Sequence, residues 1–412
     1  MIIVDINQIM ISNLMVTLNR DSMDLSEDLV RHMVLNSLRA HNKKFRKEYG
    51  NMVIACDSKN VWRREIFPNY KAGRKANRAK SEHDWDAIFS MLHTIKDEIR
   101  SFLPYKVIEL ETAEADDVIF GWSVALNARG KSCIVWTGDR DLIQLVNYST
   151  TNDAHTVWYY NTKKTLYAYK GFQKDMGTSA TAEISNDDML FNMGGGAMLR
   201  DTYQNDIMDW VSANKIKIEE VDCDEFIFKK ILVGDKSDNI QSVVTWQKEM
   251  KNGKLRNYSI TDKTADVIWK QFIKEYKDFT VDFLFSTEAK DVLSDIIYRV
   301  IGHSSINLIK TTLTTNIALM LLHNKTIPDP ILKAIYAAIE KDWEGAIESK
   351  ESIMEMDKIL EGTDWLEGAK KANFAPDPFA GMDVPEEPKS PMKLVGKKTK
   401  KPVKKDPTKK LF

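Results

Sequence analysis

The chain has 412 residues, 43% of them hydrophobic, and its 59 Lys and Arg nearly cancel 60 Asp and Glu to give a formal net charge of −1. That is enough apolar chain for one large or two ordinary domains with a real core, so a soluble globular protein is expected. The amino terminus, Met1-Ile-Ile-Val-Asp5, has no basic segment before it and its apolar run stops at Asp5, so neither a signal peptide nor a membrane span is expected, and the cytoplasm is the expected compartment.

Ile2-Ile3-Val4-Asp5 and Met52-Val53-Ile54-Ala55-Cys56-Asp57 read as buried parallel strands, each closed by an aspartate. Next comes a basic strip. Between Lys59 and Lys80 lie Arg63, Arg64, Lys71, Arg74, Lys75 and Arg78, opposed only by Glu65, with Trp62 and Tyr70 interleaved. Cations alternating with aromatics suit phosphate neutralisation and base stacking. From Asp84 to Leu103, Trp85, Ile88, Leu92, Ile95, Ile99 and Phe102 fall on one helix face, and Pro104 stops the helix. A strand over Lys106–Leu110, a helix over Ala113–Ala128 with Val118, Trp122 and Ala125 inward, and a strand over Ser132–Trp136 make a βαβ unit.

Thr151 to Tyr169 reads as a β-hairpin from its aromatic and β-branched content. Residues 170–224 read as an insertion without assigned chemistry, in which Gly194-Gly-Gly196 is a loop and Asp187 and Asp188 a solvated helix start. Phe226–Val233 leads into Gly234-Asp-Lys-Ser-Asp-Asn239, and from Ser259 the chain is expected to be helical to about Leu360, with Val267, Ile268, Phe272 and Tyr276 packing. Residues 369–412, with ten lysines from Lys389 onward, lack the apolar content to offset ordering entropy and are expected to be disordered. Cys56, Cys133 and Cys223 are isolated and read as buried free thiols.

The acidic residues carry the chemistry. Asp5, Asp57, Glu114, Asp116, Asp117, Asp139 and Asp141 all fall at the carboxyl edge of the expected sheet or just past it, where open parallel sheets bind ligands. Two carboxylates about 4 Å apart repel by roughly 4 kcal/mol at an effective dielectric near 20, so a converging set needs cations. Oxygen ligands without a His or Cys cluster select magnesium, with manganese able to serve, rather than zinc. Two such ions can bracket a phosphodiester. Asp5, Asp57, Glu114, Asp116, Asp117 and Asp139 are candidates for one ion, and Asp141, Asp235 and Asp238 for the other. The alternative for the last pair is a polar turn held by side-chain hydrogen bonds. No nucleophile elbow, Walker loop or dinucleotide fingerprint is present.

In the order of these blocks the chain resembles the 5′ nucleases, the family of flap endonucleases and of the 5′-to-3′ exonuclease domain of bacterial DNA polymerase I, and within it the ribonuclease H enzymes of T-even bacteriophages. The likeness rests on Asp5 in its strand, Asp57 with Trp62-Arg63-Arg64 and Tyr70-Lys71, Glu114-Ala-Asp116-Asp117 with Asp139 and Asp141, and Gly234 to Asn239, and spans roughly residues 1 to 345. It implies an α/β fold with a mostly parallel central sheet and helices on both faces, a PIN-like 5′ nuclease core over 1–240, with an arch or gateway at 58–82. A helical domain follows over 241–368. It implies two-magnesium hydrolysis of 5′ flaps and of RNA primers paired to DNA, on branched or nicked duplexes, by a monomer. Lys71 and Arg74 match residues that approach the scissile phosphate, alongside Asp139. Trp62, Arg63, Arg64, Tyr70, Lys71, Arg74 and Lys75 would line the nucleic acid, with Lys263 and Thr264 in a helix-hairpin-helix.

That hairpin departs from the family. Gln241-Ser-Val-Val-Thr-Trp246 has no glycine and Asp262-Lys-Thr-Ala265 comes late, which argues against the potassium ion the family often holds. The terminal Leu411-Phe412 after a lysine run is a candidate for docking to a sliding clamp or a single-strand-binding protein. A PIN-type ribonuclease and a catalytically silent DNA-structure binder are the alternative readings.

Overall fold

Three β-branched residues and an aspartate make the first strand. β1 (Ile2–Asp5) is buried along its whole length and pairs in parallel with β2 (Met52–Cys56) on one side and β4 (Cys133–Trp136) on the other. The computed structural model describes residues 1–18, 27–80, 83–103, 105–129, 131–146, 157–161, 165–170, 216–250, 253–277 and 279–348. With β3 (Lys106–Glu109), β5 (Val157–Tyr160), β6 (Thr165–Tyr169) and β7 (Lys217–Val221), the seven-stranded sheet has the order β3-β2-β1-β4-β5-β6-β7. Every neighbouring pair is parallel except the β5–β6 hairpin.

The pleat divides the apolar residues between two cores. Ile2, Val4, Ile54 and Trp136 pack on α1 (Ile6–Leu18) and α2 (Glu27–Tyr49). The basic strip after β2 folds into two short helices, α3 (Arg63–Ile66) and α4 (Ala72–Arg78), before α5 (Trp85–Phe102) adds Ile88, Leu92, Ile95 and Ile99 to the first core. On the opposite face Ile3, Val53, Ala55 and Val135 pack on α6 (Ala115–Ala128). Each such fully buried Ile, Val or Leu contributes roughly 1.5–3 kcal/mol over leaving it exposed. The expected mostly parallel sheet with helices on both faces is therefore present.

A third core gathers α7 (Cys223–Val233), α8 (Asp262–Glu275) and the helices Thr287–Ile301 and Ile306–Met320 around Phe228, Phe272, Leu293 and Leu313. The starts of these last three helices follow from their caps. Thr261, Ser286 and Ser305 each accept a backbone N–H three residues on, and Gly302 ends its helix in the left-handed region. The final helix, Asp329–Glu348, carries Pro330 in its first turn, where the missing N–H costs nothing, and returns to the second core through Ile335. A boundary at residue 240 thus runs through the third core, which takes α7 from one side and α8 from the other.

Several expectations need correction. Phe102 and Val267, expected inward, are 41% and 46% exposed. β7 lies within the stretch expected to be an insertion and forms the edge of the sheet, paired with β6. A helical region was expected after 240, but an antiparallel pair, β8 (Thr245–Glu249) and β9 (Leu255–Ser259), precedes α8. The glycine run at 194–196, Asp187, Asp188 and the lysine-rich tail lie outside the described residues. All three cysteines are buried, and none forms a disulfide among the described residues. No helix among the described residues is long and apolar enough to cross a membrane.

Candidate active site

Strand order reverses beside β1: β2 and β3 follow on one side, β4 and β5 on the other. The crevice beyond β1 and β4 is where such a sheet binds ligands. Asp5 closes β1 there, and Thr137-Gly138-Asp139 leaves β4. The Thr137 hydroxyl donates to Asp5 at 3.0 Å and accepts the Asp139 N–H at 3.0 Å. Gln8 completes the link, giving its backbone N–H to Asp5 (3.1 Å) and accepting the Gly138 N–H at its side-chain oxygen (3.1 Å). A Cβ at position 138 would stand 2.3 Å from the Gln8 amide, so any larger residue there would have to displace the Gln8 side chain from this link. Asp57, after β2, accepts the Ala115 N–H at 2.8 Å and so fixes the start of α6, whose first turn carries Asp116.

The structure sorts the nine acidic candidates by partner. Glu114, Asp117, Asp141, Asp235 and Asp238 each form an ion pair with a side chain of this protein. Asp5, Asp57, Asp116 and Asp139 form none among the described residues. Burial, then the charges of Asp57 and Asp139, pushes the Asp5 carboxyl up to about 7. Asp116 is held well above the carboxylate range by burial and by Asp139 and Asp5, and Asp139 is also raised, mainly by burial. The Tyr159 hydroxyl, buried without a hydrogen-bond partner, feels Asp139 and Asp5 as well. These mutually repelling oxygen donors form no ion pair among the described residues, although Lys230 and Lys71 stand near enough to oppose the rise at Asp139, and they make a set that fits a hard divalent cation. Among the described residues no three acidic, His or Cys side chains are yet grouped as such an ion would gather them.

The basic strip is anchored rather than laid open. Arg63 is 3% exposed, and its guanidinium donates to Glu114 at 2.6 Å, to Asp117 at 2.8 and 3.1 Å, and through Nε to the Leu319 carbonyl at 2.9 Å. Asp117 also accepts the Trp62 indole N–H (2.9 Å) and the Glu114 backbone N–H (2.9 Å). Asp117, expected among the metal ligands, is fully buried with four donors and fastens α3 to the start of α6. Burial alone would raise Glu114, but Arg63 and Lys71 draw it down to about 2. Trp62, Arg63 and Tyr70 were expected at the nucleic acid and are instead buried. The Tyr70 hydroxyl donates to Glu114 and Asp238. Arg64 is exposed. Lys71, with φ of 57°, reaches Glu114 with its ammonium and gives its backbone N–H to the Asp238 carbonyl at 2.9 Å. Arg74 meets Asp238 at 2.5 Å while remaining 45% exposed. Lys71 and Arg74 are thus both tied to carboxylates of the acidic set. The Lys75 side chain lies outside the described residues.

Asp235 and Asp238 sit on a turn, the alternative weighed for them. The Asp235 carboxylate accepts the backbone N–H and the hydroxyl of Ser237 at 2.7 and 2.6 Å. Gly234 precedes them at φ of 77°, with a backbone carbon 2.5 Å from where a Cβ would be. Lys230, on α7, reaches both Asp141 and Asp235 (3.1 Å) and was not singled out from sequence. Its only signal is a cation five residues before Asp235, and it stands beside a second one, Lys229, on the same helix. Thr137, Gln8 and Gln144 were missed for the same reason: single polar residues whose partners are remote in the chain. Lys263 and Thr264 lie in the first turn of α8, where the Thr264 N–H caps onto Thr261.

Residues 2–177 match the family described as 5′-3′ exonuclease, N-terminal resolvase-like domain. Ribonuclease H of Enterobacteria phage T4 is 31% identical over 150 residues, covering 35% of this chain and 48% of that protein. A 5′-3′ exonuclease of Buchnera aphidicola is 33% identical over 116 residues, 28% of this chain and 35% of that one. DNA polymerase I of Bacillus caldotenax is 30% identical over 122 residues, 29% and 12% of the two. The chain spans about half the length of the T4 relative and less of the others. A solved T5 5′-exonuclease carrying divalent zinc aligns over 82% of this chain and 98% of its own, with TM-score 0.48 and 15% identity.

Proposed function

From an amino-terminal domain that belongs to the 5′-3′ exonuclease family, we propose that this protein is a divalent-metal-dependent 5′ nuclease hydrolysing phosphodiester bonds at 5′ flaps and RNA primers paired to DNA. One observation carries the reading: Asp5, Asp57, Asp116 and Asp139 stand at the switch point of the sheet and form no ion pair among the described residues, while five neighbouring carboxylates do. These four would hold one magnesium ion, and Asp141, Asp235 and Asp238 a second. A divalent cation bound there supplies Lewis acidity toward the phosphodiester and the water that hydrolyses it.

The chain's own groups do the rest. Thr137 and Gln8 hold Asp5 and the β4 loop in register. Arg63 and Asp117 keep the start of α6 rigid, so that Asp116 and Asp57 stay aligned. Lys71 and Arg74, now engaged with Glu114 and Asp238, are the cations nearest to an incoming phosphate and position it. Glu114 acts by holding Lys71.

A 5′-labelled flap, a nicked duplex and an RNA-primed duplex, each incubated with and without magnesium, test the proposal. Short 5′-labelled products are expected only with the metal. Asp116→Asn should lower their formation by about a hundredfold or more while leaving flap binding intact. That variant should melt no lower than the wild type without metal, because one repelling charge is gone. Preference for unpaired RNA would favour a PIN-type ribonuclease instead, and flap binding without turnover in magnesium or manganese a silent binder.

A further inference from the structure

β8 and β9 form a two-stranded ribbon apart from the main sheet. Their register sets Trp246 opposite Tyr258 and Lys248 opposite Arg256, and since side chains alternate, both pairs share one face. At the base Trp246 stacks on Tyr258 (5.7 Å between ring centres) and on His303 (5.4 Å), which fastens the ribbon to the third core. Further out, Lys248 and Arg256 are exposed and directly opposed. Neither has a carboxylate partner among the described residues; Arg256 lies 5.4 Å from the Tyr258 ring. Glu249, the ribbon's carboxylate, belongs to the opposite face with Leu255.

Like charges directly opposite each other destabilise a strand pair, and an isolated two-stranded ribbon is marginal to begin with. A bound polyanion would offset that cost. We propose that the Lys248–Arg256 face of the ribbon binds the phosphate backbone of duplex nucleic acid running away from the active site. The proposal rests on the nuclease reading, which supplies the nucleic acid. A duplex fits better than a single strand because Trp246 and Tyr258 are half-buried and stacked on each other, which leaves cations but no open aromatic platform for bases. The reach is right too. The backbone bridge of Asp235 to Ile240 ends five residues before Thr245. The ribbon therefore begins no more than about 17 Å from that loop and is itself about 17 Å long, so its cations stand at most about ten base pairs of duplex away.

The test compares the full-length chain with Lys248→Ser/Arg256→Ser, by fluorescence anisotropy in magnesium-free buffer, on a blunt duplex and on a single strand of equal length over a range of salt. Loss of two phosphate contacts should weaken duplex binding by about an order of magnitude and flatten the plot of log affinity against log salt by about 2, with single-strand binding unchanged. The melting temperature should not fall, because the opposed charges are gone. The charge-preserving Lys248→Arg/Arg256→Lys should keep the wild-type slope. An unchanged duplex slope in the serine variant, an equal loss on the single strand, or a flattened slope in the charge-preserving variant would each overturn the proposal. Magnesium-dependent flap cleavage by the wild type, scored separately, tests the nuclease reading, so the two fail by different results.

Discussion

Arg63 shows how much one side chain can fix. Its guanidinium is buried with Glu114 and Asp117, whose charges keep it protonated against the pull of desolvation. Replacing it with alanine leaves Asp117 buried without a counter-charge and Glu114 with Lys71 alone, and breaking such a pair costs about 3–5 kcal/mol. Urea unfolding of Arg63→Ala should show that loss, whereas Arg64→Ala, one residue on and exposed, should stay within about 0.5 kcal/mol of the wild type. Equal effects at the two positions would mean that the buried network does not hold α3. In the sequence the two arginines look alike, both members of a basic strip. The aspartates at strand ends were legible because the apolar runs before them mark the edge of the sheet, but which carboxylates carry a partner was not. That depends on residues such as Arg63 and Lys230, brought in from 51 residues before Glu114 and from another core.

Whole elements were legible where their apolar pattern is strong. β1 before Asp5, β2 and β4 are unbroken apolar runs built around Ile and Val, and α5 carries its stripe at helical spacing. β7, β8 and β9 read Lys-Ile-Glu-Glu-Val, Thr-Trp-Gln-Lys-Glu and Leu-Arg-Asn-Tyr-Ser; half-exposed edge and ribbon strands of this kind have no buried face to impose a pattern. The packing of α2 on β4 makes a further prediction. His41 stacks on Trp136 with 3.4 Å between ring centres, its Nδ1 2.8 Å from the Ser37 carbonyl, and burial draws its pKa down to about 4. A histidine whose pKa is depressed in the fold contributes stability that is intact above its ordinary value near 6.5 and is lost as pH falls toward 4. At pH 5 the loss should be about 2 kcal/mol relative to pH 7.5. His41→Phe keeps a flat ring on Trp136, and its urea midpoints at the two pH values should differ by that much less than the wild type's. An unchanged pH dependence would show that the ring is not buried neutral.

At the scale of the molecule, the two halves of the acidic site come from different cores. Asp5, Asp57, Asp116 and Asp139 belong to the sheet, while Asp235 and Asp238 follow α7, which packs in the third core. Their alignment therefore depends on what clasps the cores together. Gln144, 8% exposed in the 3₁₀ turn after Asp139, is the main clasp: its amide donates to the Asp141 carbonyl (2.8 Å) and the Met320 carbonyl (3.2 Å) and accepts the Leu322 N–H (2.9 Å). Arg63 adds a second tie at the Leu319 carbonyl. Gln144→Ala leaves buried backbone groups on both sides without partners, a cost of about 2–3 kcal/mol. Because Asp141 lies on the same turn, the substitution should also loosen Asp141 against Asp235 and lower magnesium-dependent cleavage, although Gln144 meets neither metal nor substrate. Stabilisation by magnesium separates this from simple unfolding. A cation held by carboxylates of the native state alone raises stability by about 2.7 kcal/mol at a hundred times its dissociation constant. If Gln144 aligns the two halves, the magnesium-induced rise in melting temperature should shrink in Gln144→Ala along with activity. A full magnesium-induced rise beside lost activity would instead place the defect in substrate binding.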